Sequence, residues 1–110
     1  MKNKKIHVIF RTPFLKKTYD QLAQENILKK RIDRTIEAIK QRPFGVGQPI
    51  SKDKIPKEYL REGFDNAFWV DLSKEWRLIY SLRGINEIEI LCIVLDWFDS
   101  HKDYERKFKY

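Results

Sequence analysis

At 110 residues, 42% apolar and 14% aromatic, the chain suits a single folded domain, residues 1–110, and its composition is that of a chain that folds rather than remaining disordered. One cysteine, Cys92, excludes an internal disulfide and a Cys-rich zinc site. No apolar run approaches the roughly 18 residues of a membrane span, and the segment Ile6–Phe10 after the basic amino terminus is too short for a signal peptide. No membrane association is expected, and the cytoplasm is the expected compartment. The net charge of +7 is uneven. Residues 1–42 hold 12 Lys/Arg against 4 Asp/Glu, residues 43–66 hold 4 against 4, and residues 67–110 hold 7 against 8. The basic excess thus lies in the first part, notably at Lys16-Lys17 and at Lys29-Lys30-Arg31 with Arg34. A field of this sign draws polyanions, and it suits nucleic acid, an acidic protein partner and a merely solvated surface equally.

Lys5–Phe10 alternates weakly, with Ile6, Val8 and Phe10 on one side and His7 on the other, and reads as a strand. Thr12-Pro13 then reads as an N-cap followed by proline at the first helical position. Phe14, Leu15, Tyr19 and Leu22 recur at helical spacing, predicting a helix to about Glu25. After a break near Asn26, the residues Leu28, Ile32, Ile36 and Ile39 predict a second amphipathic helix that ends before Pro43. Arg42 to Pro49 is rich in breakers and reads as loop; its Gly45-Val46-Gly47 lacks the flanking strand, Lys and Ser/Thr of a phosphate loop.

From Ala67 the period becomes two. Phe68–Leu72 and Trp76–Leu82 read as a hairpin joined by Ser73-Lys74-Glu75, and Arg83–Asn86 turns the chain into an apolar strand, Ile88–Leu95. Cys92 within that strand reads as buried filler. Ser100–Phe108 is expected to form a short helix. The order β-α-α-β-β-β with a short carboxy-terminal helix implies an α+β domain, with a helical hairpin packed on one face of a mainly antiparallel sheet.

In the strand from Trp76, the bulky Trp76, Leu78, Tyr80 and Leu82 share one face and should meet the helices. Arg77, Ile79 and Ser81 should then point to an opposite, open face. Two readings of Arg77 stand. It is a solvated arginine paired with Asp71 or Glu89 on a neighbouring strand, or a fixed guanidinium whose planar donors match phosphate oxygens.

The run Trp76-Arg77-Leu78-Ile79-Tyr80, then the strand Glu87–Asp96, then His101-Lys102-Asp103-Tyr104-Glu105-Arg106 resembles the carboxy-terminal half of the RelE/ParE toxin superfamily. The resemblance covers residues 65–108; the first 42 match only as a strand followed by a helical hairpin. It implies a RelE-like, microbial-ribonuclease-like fold and the toxin of a type II toxin–antitoxin system. Two activities are open under it. One is an mRNA endoribonuclease (mRNA interferase) acting on the translating ribosome and inhibiting translation. The other is a ParE-like non-catalytic inhibitor of DNA gyrase. A nucleic-acid-binding module without catalysis is the third reading. Expected partners are a small acidic antitoxin, with mRNA and ribosomal RNA under the first activity.

RNA cleavage requires deprotonation of the 2′-hydroxyl, stabilisation of the phosphorane and protonation of the leaving 5′-oxygen. Arg77 suits the phosphorane charge, His101 exchanges protons near neutral pH, and Tyr104 acts as a base if its pKa is lowered or stacks on a nucleobase. Packing and helix capping are the alternatives for Tyr104 and His101. Lys102 and Arg106, four apart on the expected helix, suit backbone phosphates, as do Lys29, Lys30, Arg34 and Lys54. Members of the superfamily place an additional lysine or glutamate before the arginine strand; here Lys52, Lys54, Lys57, Glu58 and Glu62 are candidates and no spacing selects one. His7 and His101 have no metal-ligand spacing, and neither a metal nor a cofactor is expected.

Overall fold

The computed structural model describes residues 4–98. The expected helix Ser100–Phe108, and with it His101, Lys102, Tyr104 and Arg106, lies outside the described residues. In chain order the elements are β1 (Lys5–Phe10), α1 (Pro13–Asp20), α2 (Ile27–Gln41), β2 (Gln48–Pro49), a 3₁₀ turn (Lys52–Lys54), α3 (Lys57–Arg61), β3 (Phe68–Asp71), β4 (Arg77–Gly84) and β5 (Glu89–Phe98). The five strands form one mixed sheet in the order β1-β5-β4-β3-β2, in which β1 runs parallel to β5 and every other pair is antiparallel. The domain is α+β, as the pattern of periods predicts.

Local chemistry accounts for the helix boundaries. The Thr12 hydroxyl accepts from the Leu15 amide at 3.0 Å, and Pro13 follows where its missing N–H costs no helical bond. Asn26 caps α2 through the Lys29 amide at 3.2 Å. Helix α1 stops at Asp20, short of the predicted Glu25. There the Lys29 ammonium bonds the Leu22 carbonyl at 3.2 Å and lies 4.8 Å from the centre of the Tyr19 ring. The side chain of α2 therefore satisfies a carbonyl that another turn of α1 would have used. Tyr19 donates to Asp33, so the two helices are tied by polar groups as well as by packing.

Two cores flank the sheet. The first packs Leu15, Ile32 and Ile39 of the helical hairpin onto Leu78, Tyr80, Leu82, Cys92 and Val94. That is the face the alternation in β4 predicts. The second packs Ile50, Ile55, Tyr59, Phe64 and Ala67 onto Ile79, Ile93 and Leu95. This corrects the expectation of an open face: Ile79 is 0% exposed and Ser81 2%. The middle stretch supplies the cover because its apolar residues are scattered through short turns, without a periodic run. Asn66 fixes its return to the sheet. The Asn66 side-chain oxygen accepts from the Leu82 amide (2.9 Å) and the Ser81 hydroxyl (3.0 Å), and its amide donates to the Leu82 carbonyl (2.9 Å).

Strand β5 carries one irregularity. Ile79 pairs with Asp96 while Tyr80 pairs with Val94, so Leu95 is an extra residue. Leu95 belongs to the second core, and the Asp96 carboxylate acts on Tyr59 in the same layer. The bulge thus gives the second face two successive residues of β5. Among the described residues, no helix is long and apolar enough to cross a membrane.

Candidate functional site around Arg77

Arg77 opens β4, paired across the sheet with Asp71 on β3 and with Phe98 on β5. Its parity with Ile79 places it on the second face, at the start of β4. The Arg77 Nε donates to the Asp71 carboxylate at 3.0 Å, and its guanidinium carbon lies 4.0 Å from the centre of the Trp69 ring. The Arg77 side chain is only 14% exposed, against 48% for Asp71. Trp69 and Phe98 are half-buried and pack against the second core. Of the two carboxylates expected, Asp71 is thus the partner, while Glu89 bonds His7. The cross-strand ion pair exists, and it holds a guanidinium stacked on an aromatic platform, which restricts its orientation more than a solvated pair would.

A second group of charged residues gathers around Tyr59 on the same face. Burial pushes the Tyr59 phenol well above its ordinary range, the Asp96 carboxylate adds to the rise, and Arg11 opposes it. Arg11 lies 4.8 Å from the centre of the Tyr59 ring, donates to the Leu95 carbonyl at 3.0 Å and pairs with Glu62 at 2.8 Å. Glu62, one of the five middle-segment candidates, is thereby held by Arg11. Lys54 is exposed on the 3₁₀ turn, in the layer that covers the same face as Arg77.

The other predicted cations lie elsewhere. Lys30 and Arg34 are exposed on α2, which covers the opposite face of the sheet. Lys29 is 8% exposed and its ammonium is engaged inside the helical hairpin. His7 is bonded to Glu89 at 2.5 Å, bridging β1 and β5, and the Asn86 amide together with His7 holds the Glu89 carboxyl below its usual range. Cys92 is fully buried, and burial pushes its thiol up to about 12, so it carries no thiolate at neutral pH.

Sequence reasoning passed over Trp69 as a neighbour of Arg77 and Asp96 as a residue of the same face. Trp69 was within reach of it, since it shares the parity of Asp71, already a candidate partner. Asp96 was not, because its side depends on the bulge at Leu95.

No family model and no curated protein matches the sequence. Among solved structures, the chain is similar to a YoeB/ParE toxin from Agrobacterium tumefaciens, with a TM-score of 0.56 and 19% identity. The match covers 84% of this chain and 96% of that one. The fold is that of the RelE/ParE toxins. At this identity the likeness is one of fold.

Proposed function

We propose that this chain is the toxin of a toxin–antitoxin pair and that it cleaves mRNA on the translating ribosome, with Arg77 stabilising the transition state. The observation that carries the reading is the Arg77 guanidinium, held by Asp71 and Trp69 on a RelE/ParE fold. In the reaction the 2′-oxygen attacks phosphorus as its proton leaves to a base. The bond from phosphorus to the 5′-oxygen breaks, and that oxygen takes a proton from an acid, leaving a 2′,3′-cyclic phosphate. Arg77 contributes charge and planar donors to the oxygens of the phosphorane.

Chain connectivity supports a part for the tail. Phe98 is the direct partner of Arg77 on β5, and His101 follows it by three residues, a span of at most about 11 Å. We assign proton transfer to His101 and Tyr104, and phosphate contacts to Lys102 and Arg106 of the same tail. Lys30, Arg34 and Lys54 would contact more distant backbone phosphates of the message or of ribosomal RNA. The basic excess of residues 1–42 equally supports a small acidic antitoxin as the cognate partner.

The test is to add the purified protein to ribosomes translating a defined message and map the new RNA ends, with a gyrase supercoiling assay in parallel. New ends in the message with gyrase unaffected support the proposal. Intact message with supercoiling inhibited would make the gyrase-inhibitor reading the right one.

A further inference from the structure

We infer that Trp69 is a positioning residue for Arg77, and that the covering segment 50–67 sets the geometry of the site through it. The inference rests on the reading of Arg77 as the group that stabilises the phosphorane. Three observations carry it. Trp69 and Asp71 sit two apart on β3, so both side chains stand on the face of Arg77. The guanidinium lies 4.0 Å from the centre of the Trp69 ring while its Nε bonds Asp71 at 3.0 Å. One contact holds the guanidinium over the indole and the other anchors its Nε edge. Trp69 in turn packs against the cluster of Ile50, Ile55, Tyr59, Phe64 and Ala67, which keeps the platform in place.

An arginine side chain has several rotatable bonds, and a flexible one must be ordered each time phosphate arrives. A stacked guanidinium is ordered in advance, so the gain appears in the chemical step more than in binding. An indole is the strongest of the aromatic faces for this contact. Phenylalanine keeps a smaller face at the same place; leucine keeps bulk and removes the face.

The experiment combines two readouts on the full chain with Trp69→Phe and Trp69→Leu. The first is the ¹H–¹⁵N resonance of the Arg77 Nε–H in the free protein, assigned by its loss in Arg77→Lys. Wild type should show a ring-shifted, slowly exchanging signal, Trp69→Phe a weaker shift, and Trp69→Leu a signal at the position of a solvated arginine. The second is cleavage of ribosome-bound mRNA. Trp69→Leu should lower kcat about 10-fold with KM changed less than about 2-fold, and Trp69→Phe should recover most of the loss. Far-ultraviolet circular dichroism and the melting temperature confirm that both variants fold. An unchanged Arg77 resonance in folded Trp69→Leu overturns the inference, as does a loss confined to KM. If wild type cleaves nothing, the ribonuclease reading fails, while the resonance still decides whether Trp69 orients Arg77. Should Trp69→Leu fail to fold, the resonance and kcat of Trp69→Phe decide in the same way, with intermediate changes expected and none overturning.

Discussion

The Gly47 amide donates to the Tyr80 hydroxyl at 2.8 Å, and a Cβ on residue 47 would lie 2.5 Å from that oxygen. Tyr80 is fully buried and stacked on Phe68, with ring centres 5.3 Å apart, so its ring has nowhere to move. The loop between α2 and β2 is thus seated on the core by one hydrogen bond that only glycine permits. Gly47→Ala is expected to cost about 1–3 kcal/mol through overpacking, read as a lower urea midpoint with an unchanged slope. Gly45 is the control. A Cβ there meets only Arg42, at 3.6 Å, an ordinary contact, so Gly45→Ala should leave the midpoint nearly unchanged.

The second core makes a separate claim. Ile79 is fully buried beneath the segment 50–67. Ile79→Ala should therefore destabilise by about 2–5 kcal/mol, as for other buried aliphatic truncations. On an open face the same change would stay within about 0.5 kcal/mol. Denaturant unfolding separates the two values.

Much of this architecture was legible in residue periods, and one part was not. The helical hairpin announced itself through Thr12-Pro13, Asn26 and the spacing of Leu28, Ile32, Ile36 and Ile39. The strands β3 to β5 did so through alternation and a continuous apolar run. The cover of the second face did not, because Ile50, Ile55, Tyr59 and Phe64 follow neither period and reach the sheet through short turns. Of the site, the face of Arg77 was readable from the alternation in β4, and its partner only as one of two carboxylates, Asp71 or Glu89. The face occupied by Asp96 was hidden by a one-residue bulge, which reverses parity without leaving a sequence signal.

Alkaline stability follows from the buried phenols and thiol. Burial raises Tyr80 to about 12 and Cys92 to about 12, and burial with the Asp33 contact raises Tyr19 to about 12. Each folded-state pKa exceeds its unfolded value, so the fold favours the protonated forms. Their contribution is complete below about pH 9 and is lost as pH rises toward 12. The urea midpoint should be level from pH 7 to 9 and fall above pH 10, and Tyr80→Phe should show a shallower fall. A midpoint that stays level to pH 11.5 would contradict this assignment.

The cations of α2 should divide into two kinds. Lys30 and Arg34 are exposed, whereas the Lys29 ammonium bonds the Leu22 carbonyl. If the exposed pair meets RNA phosphates, replacing both by alanine should reduce the salt slope of binding to single-stranded RNA by about 1.4, at roughly 0.7 per phosphate contact. Lys29→Ala should leave that slope unaltered and lower thermal stability instead. Binding isotherms between 50 and 200 mM salt distinguish the two.

The central claim concerns Arg77, and its most direct test is the rate at which Arg77→Ala cleaves ribosome-bound mRNA in single turnover. Removing a transition-state donor should reduce that rate by about 10²–10³-fold, and because the largely buried side chain also loses its contact with Trp69, the melting temperature is measured alongside to show that the variant is folded. Arg77→Lys should recover only part of the rate, because a point charge reproduces neither the stacking on Trp69 nor the planar two-oxygen contact. A folded Arg77→Ala variant that cleaves at the wild-type rate would contradict the account.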